Sequence, residues 1–265
     1  MFVLLSGLKD MFRLQGVTFE TQDKTILSST SLSFEKGKVT SLLGHNGSGK
    51  STLIKMLARQ QLATDGEILL GDQPLSELSA KEFALKVAYL PQHPPLTDGV
   101  KVRELVRFGR YPWKGLLGRY SAQDDEFIDQ AIEQVGLTHM QDRFVATLSG
   151  GERQRAWMAM LLAQKSEYIL LDEPTSALDV AHQYELLALV RELNQELGLT
   201  VIMVLHDINM AARFSDHMVA LHSGKVLASG APNELMQQEV LQQIYGIPLD
   251  LFIHPESGHA ISYIR

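Results

Sequence analysis

The sequence contains no cysteine. Disulfide frameworks, thiolate metal sites and a cysteine nucleophile are therefore excluded, and the absence fits a reducing cytosol. Long apolar runs are missing too. Stretches such as VIMVL (Val201 to Leu205) fall far short of the roughly 18 to 20 residues that cross a bilayer, so any spanning of a membrane falls to other chains. The opening MFVLLSGLKDMF carries a short apolar patch but lacks the length and basic flank of a secretory signal. Positive charge is not in excess: 24 Lys and Arg against 31 Asp and Glu give a formal charge of -7. That balance argues against a free nucleic-acid binder. No internal repeat or low-complexity linker divides the 265 residues.

What is present points to a well-packed α/β chain. Apolar residues make up 45%, enough for a full core and too many for disorder. Short apolar runs alternate with helical patterns, which predicts a mostly parallel sheet. The expected core strands are VTSLL (Val39 to Leu43), VAYL (Val87 to Leu90), YILLD (Tyr168 to Asp172), TVIMVL (Thr200 to Leu205) and MVALH (Met218 to His222). Their near-continuous apolar character suits strands covered on both faces. FRLQGVTFE alternates better and reads as part of a separate antiparallel layer, with GEILL and KVLASG as further short strands. From Thr97 to Gln164 the pattern is helical, in VRELVRFG, QDDEFIDQAIEQVG and GERQRAWMAMLLAQ. That stretch is either a long helical connection or a helical subdomain inserted at about 97–164. After Lys225 an appendage is expected to about residue 265: a strand, helices around PNELM and EVLQQIYG, then a polar tail.

GHNGSGKS, from Gly44 to Ser51, follows one of these strands and precedes a helical pattern, STLIKMLARQ. This is the strand–loop–helix context of a P-loop. Gly44, Gly47 and Gly49 let backbone N–H groups turn inward on phosphate oxygens, with His45, Asn46, Ser48 and Thr52 completing the loop and the first helical turn. The helix N-terminus adds its positive dipole end. Lys50 supplies charge for the β- and γ-phosphates, and the Ser51 hydroxyl is suited to Mg2+. A plain glycine-rich turn is the alternative, and the context disfavours it.

A P-loop needs a second magnesium anchor and a means of activating water. YILLDEP offers both at a strand end, where ligands gather in open α/β sheets. Asp172 is the expected Mg2+ anchor, and Glu173 the group that orients or deprotonates water. An acidic strand end before a proline turn is the alternative. His206 closes another strand and is placed to sense the γ-phosphate. Taken alone, it reads as a satisfied structural histidine. Gln92, just past VAYLP, is either a polar loop residue or a contact to Mg2+ or water. LSGGE (Leu148, Ser149, Gly150, Gly151, Glu152) opens a helix, with the Gly150 and Gly151 N–H groups at its positive end. It has neither lysine nor metal ligand, so it can only complete a site held elsewhere. Ser149 as N-cap with Glu152 three residues on also makes a capping box, and both roles can hold at once.

GHNGSGKS, Gln92, LSGGE, LLDEP, SALD and His206, in this order, resemble the ATP-binding subunit of an ABC transporter over nearly the whole chain. The resemblance implies a single ABC ATPase domain over 1–265 with a P-loop NTPase (RecA-like) core, an N-terminal antiparallel β layer and a helical insert. It implies ATP and Mg2+, the latter held by Ser51, Gln92 and Asp172. Glu173, His206 and Lys50 are the implied catalytic residues. It also implies a homodimer in which each LSGGE closes over ATP on the other copy's P-loop, with Asp179 of SALD at the interface. VRELVRFGRYPW, HDINMAARFSDHMVALHSGKVLASGAPNELM and QQIYGIP are similar to importers of iron–siderophore complexes, haem and vitamin B12. RYPWKGLLGRY and RQRAWMAMLLAQ are most like the ferric hydroxamate branch.

The implied partners are an integral-membrane permease and, indirectly, a periplasmic binding protein, with the chain on the cytoplasmic face of the inner membrane. The permease contact is expected near Gln92 and on to about Tyr111, although GRYPW also reads as a turn with aromatic packing. Three positions depart from the pattern. Glu152 stands where Gln is frequent. Thr21 stands near the usual adenine-stacking aromatic, leaving Phe19 or Phe12 as substitutes. Met160 replaces a frequent Arg, which fits the hydroxamate branch. The rival classes are a soluble ABC ATPase acting on nucleic acid or cluster assembly, and a regulatory ATP-binding module without turnover.

Overall fold

Alternation along the strands explains the centre of the fold. The computed structural model describes residues 11–95, 97–115, 118–256 and 258–265. The first ten residues of the apolar opening, and Leu116 and Leu117 of RYPWKGLLGRY, lie outside them. The elements run β1 (Phe12–Glu20), β2 (Thr25–Phe34), β3 (Val39–Leu43), α1 (Lys50–Leu57), β4 (Asp65–Leu70), β5 (Gln73–Pro74), α2 (Ala80–Lys86) and β6 (Val87–Leu90). Next come α3 (Val102–Phe108), α4 (Tyr111–Lys114), α5 (Ala122–Gln134), α6 (Gly150–Ala163), β7 (Tyr168–Leu171), α7 (Val180–Leu197) and β8 (Thr200–Val204). The chain ends with α8 (Ile208–Phe214), β9 (His217–His222), β10 (Lys225–Gly230), α9 (Pro232–Leu235), α10 (Gln238–Tyr245), β11 (Leu249–Ile253) and β12 (Ala260–Ile264).

The central sheet has the order β10-β9-β3-β8-β7-β6. Its pairings are parallel except for β10, which closes one edge antiparallel to β9. Val39, Leu43, Ile169, Leu171, Val201 and Met203 face a core shared with α6 and α7. Their strand neighbours Leu42, Leu170, Ile202 and Val204 face a second core with α1 and the N-terminal sheet. Neither face meets solvent, so these runs show no polar alternation. The second sheet, β2-β1-β4-β5, is antiparallel. It contains both FRLQGVTFE and GEILL, while KVLASG is the edge strand β10.

Helices α3, α4, α5 and α6 lie between β6 and β7. The RYPWK segment clamps them together. Arg110 donates to Asp124 Oδ1 (3.0 Å) and to Ala163 O (2.8 Å). Lys114 pairs with the other Asp124 oxygen at 2.6 Å, and Trp113 Nε1 donates to Gln164 O at 2.7 Å. Burial pushes the Asp124 carboxyl up, but Lys114, Ser121 and Arg110 outweigh it and hold the carboxyl well below the usual carboxylate range. Arg110 and Lys114 thus anchor the segment on Asp124, while the Tyr111 and Trp113 rings stay largely exposed.

The end of the chain departs from the sequence reading. Where a polar tail is expected, β11 and β12 pair as an antiparallel hairpin. Asn209 fastens it to α8, donating to Ser262 O (3.0 Å) and accepting from Ser262 N (2.7 Å). The alternation that would mark these strands is short and is diluted by the intervening His254, Pro255 and Glu256.

Candidate active site

The P-loop is shaped by what its glycines leave out. Gly44 has φ +137°, and a methyl there would lie 2.1 Å from Leu221 O. Gly47 and Gly49 also have positive φ, at +80° and +103°. A methyl at Gly47 would meet nothing within 4 Å, so that side of the loop is open. Helix α1 begins at Lys50 without a side-chain cap, which leaves its first N–H groups for a ligand. Lys50 Nζ lies back across the loop and donates to Gly44 O (2.8 Å) and His45 O (3.0 Å). Burial lowers its pKa, against the pull of Glu173 and Asp172. Asn46 is exposed, His45 is half-buried edge-on to His222 at 4.7 Å, Ser48 and Gly49 are buried, and Ser51 and Thr52 are half-buried.

Asp172 is buried at the tip of β7. Burial raises its pKa, with Lys55, Ser51 and Lys50 opposing the rise and Glu173 adding to it. Its Oδ1 is buried without a hydrogen-bond partner, as is Ser48 Oγ. A buried carboxylate that meets the Ser51 hydroxyl and keeps one oxygen free is the oxygen-donor chemistry that a hard cation takes. Among the described residues no group of three or more His, Cys, Asp or Glu converges on a metal position. Mg2+ suits such a site, because it takes one or two protein oxygens together with water and substrate phosphates.

Glu173 stands at φ +52°, a left-handed conformation that costs a non-glycine residue about 1–3 kcal/mol. Its carbonyl is held by Ser176, through the backbone N at 3.2 Å and Oγ at 3.1 Å. Its carboxylate Oε2 accepts from Gln92 Nε2 at 2.6 Å and contacts His206 Nε2 at 2.9 Å. Three residues from three separate strand ends therefore meet at one oxygen. Tyr89 was not singled out in the sequence. Burial and the neighbouring Asp172 carboxylate raise its pKa. Its signal is its register on β6, where it packs with the P-loop-side core while Leu90 faces the other.

The LSGGE segment opens α6 elsewhere. Ser149 is the N-cap: its hydroxyl accepts from Glu152 N (3.3 Å), and Glu152 Oε2 accepts from Ser149 N (2.8 Å). Leu148 is buried, while Ser149 and Gly150 face solvent. Asp179 is the exposed N-cap of α7 and accepts from His182 N at 2.9 Å. A groove of about 420 Å³ runs between the Gln92 segment and α6, lined by Thr97, Gln154 and Trp157 among others. The base-stacking substitutes fare differently. Phe12 is fully buried, edge-on to Tyr168 at 5.1 Å, so it cannot stack on a nucleotide. Phe19 remains, half-buried on the same strand.

The ABC transporter family pattern matches residues 27–176, from the N-terminal sheet through the P-loop to the LLDEP turn. The chain belongs to the ATP-binding proteins of ABC transporters. This ABC ATPase is 43% identical over 240 residues to the achromobactin transport ATP-binding protein CbrD of Dickeya dadantii, covering 91% of this chain and 88% of that one. It is 41% identical over 239 residues to the iron(3+)-hydroxamate import ATP-binding protein FhuC of Bacillus subtilis, covering 90% and 89%. Its fold matches the inward-facing structure of an ABC transporter assigned to the metal-chelate type, with TM-score 0.83 and 25% identity over 95% and 96% of the two chains. No helix among the described residues is long and apolar enough to cross a membrane.

Proposed function

We propose that this ABC ATPase drives import of an iron–siderophore complex, a ferric hydroxamate, through a separate inner-membrane permease. In this reading the chain is one ABC ATPase domain with a helical subdomain at about 97–164 and an appendage at about 225–265. It works as a homodimer on the cytoplasmic face of the membrane, and a periplasmic binding protein delivers the cargo to the permease. The convergence of Gln92 and His206 on Glu173, beside Lys50 and Asp172, carries the hydrolytic part. The likeness to two siderophore-transport relatives carries the substrate.

The P-loop N–H groups and Lys50 bind the ATP phosphates. Ser51, Asp172 and Gln92 would hold Mg2+, which supplies charge neutralisation at the β- and γ-phosphates. Glu173 takes the proton of the attacking water as its oxygen bonds to the γ-phosphorus and the bond to the β-phosphate oxygen breaks, giving ADP and phosphate. Gln92 and His206 fix that carboxylate, and His206 is placed to hydrogen-bond the γ-phosphate and sense its presence. Ser149, Gly150 and Gly151 direct hydroxyl and N–H dipoles at the γ-phosphate held by the partner copy. Asp179 links the two sites across the interface.

The test is uptake of radioactive iron as a ferric hydroxamate. The cells lack their own uptake ATPase, keep the matching permease and binding protein, and carry this chain or its Glu173→Gln form. Uptake with the first and none with the second is expected. No uptake with either, while purified chain hydrolyses ATP, shifts the substrate to a catecholate siderophore, haem or vitamin B12, each tested with its own permease. The achromobactin relative keeps the wider siderophore class in view.

A further inference from the structure

His182 lies outside the P-loop, the LLDEP turn and LSGGE, yet it touches the elements that join them. Its ring Nδ1 lies 2.7 Å from Asp179 Oδ1, the oxygen that also accepts its backbone N–H. One carboxylate oxygen therefore holds the ring to the cap of α7. The ring then lies over the first turn of α6. A methyl built on Gly151 would sit 2.5 Å from His182 Cδ2 and 3.3 Å from Nε2. Gly151 is not in the left-handed region, so its lack of a side chain serves this close approach rather than backbone freedom. One turn further along, Arg155 of α6 pairs with Glu185 of α7 at 3.0 Å. Toward the active site, Leu178 N donates to Thr175 O at 3.1 Å, and Gln183 Nε2 caps Leu178 O at 2.8 Å. The Glu173 carbonyl anchors the start of the same turn through Ser176.

We infer that His182 is a positioning residue that locks the Asp179 turn and the LSGGE helix end into one rigid unit. The inference rests on the ATPase dimer proposed above. In that dimer Glu173 serves the chain's own ATP, whereas Ser149 and Gly151 serve the partner's. His182 is thus the strut through which the state of one site sets the placement of groups in the other. Gly151 is required because the ring occupies the space a side chain would take.

The test uses the purified full chain with four variants: His182→Ala, His182→Asn, Gly151→Ala, and the double variant Gly151→Ala/His182→Ala. Asparagine places an amide N–H where Nδ1 lies, so it restores the tie to Asp179. His182→Ala is expected to lower kcat roughly tenfold or more, since misplaced groups remote from the chemistry cost this much. Nucleotide affinity at the chain's own P-loop stays unchanged, and His182→Asn recovers most of kcat. Gly151→Ala lowers the melting temperature with His182 present and much less without it. The inference is overturned if His182→Ala keeps wild-type kcat, if Ala and Asn are equally impaired, or if Gly151→Ala costs the same melting temperature in both backgrounds. Hydrolysis by Glu173→Gln at the wild-type rate would overturn the role given to Glu173 instead, and the melting comparison would still report on the strut.

Discussion

The chain builds two glycine-rich corners at helix starts, the P-loop and LSGGE, and they differ in what they leave unfinished. At the P-loop, three glycines hold positive φ, Lys50 folds back on its own loop, and Asp172 Oδ1 and Ser48 Oγ are buried without partners. At LSGGE the glycines have ordinary φ, and the Ser149–Glu152 capping box satisfies both polar side chains locally. Two carboxyl groups show the contrast. Burial raises the pKa of Asp172. Hydrogen bonds from the Ser149 backbone and hydroxyl lower that of Glu152. A site that must bind a polyanion and a cation keeps unsatisfied groups for them. LSGGE, proposed to complete a site held by another copy, is stable without its ligand.

The largest effect should break the first corner alone. Lys50→Ala is expected to abolish nucleotide binding and hydrolysis, measured by titration calorimetry and phosphate release. Glu173→Gln sharpens the contrast by separating binding from chemistry: hydrolysis falls about a thousandfold while ATP affinity is retained. Gly150→Asp attacks the second corner: position 150 is exposed and a side chain there meets nothing closer than Leu178 at 3.4 Å, so the added carboxylate opposes the γ-phosphate proposed to lie there. Binding at the chain's own P-loop is expected to persist, while turnover is lost. A smaller effect comes from Asp172→Asn. Removing a buried charge should raise the melting temperature at neutral pH in the absence of magnesium, and the stabilisation that Mg–ATP gives the wild type should disappear. If the variant melts lower instead, Asp172 is stabilised by its neighbours and the contrast fails.

The smallest effects belong to the cap. The folded-state pKa of Glu152 lies below its unfolded value. The cap's contribution is therefore present above the ordinary glutamate range and is lost as pH falls through the lowered value. The Ser149 amide donates to the Glu152 carboxylate, so its protection from hydrogen exchange should fall over that acid window, and Glu152→Gln should remove the pH dependence. Because Gln can also fill the N3 place of a capping box, the ATPase rate of Glu152→Gln should stay within about twofold of wild type.

Much of this was legible in the residues. The buried strands announced themselves because both faces are covered, and the P-loop because its glycines, lysine and serine stand at fixed spacing. What stayed hidden depends on contacts between distant segments. Tyr89 reaches Asp172 only through the β6–β7 register. The hold of Gln92 and His206 on one Glu173 oxygen requires three strand ends to meet, and spacing along the chain carries no sign of it. Phe12 looked available for base stacking because its alternation shows burial on one face but not what covers it. The hairpin β11–β12 is short, polar at its turn and fixed by Asn209, 53 residues before Ser262.

The central claim is that the two corners meet only between copies, and the absence of cysteine makes it directly measurable. One chain would carry Asn46→Cys in the P-loop, another Thr147→Cys beside LSGGE, both with Glu173→Gln to hold ATP. A short bismaleimide is added with and without Mg–ATP. The account predicts a linked dimer from the mixture that depends on ATP, and none from either variant alone. Self-linking of one variant, or no ATP-dependent link in a mixture that binds ATP, would contradict it.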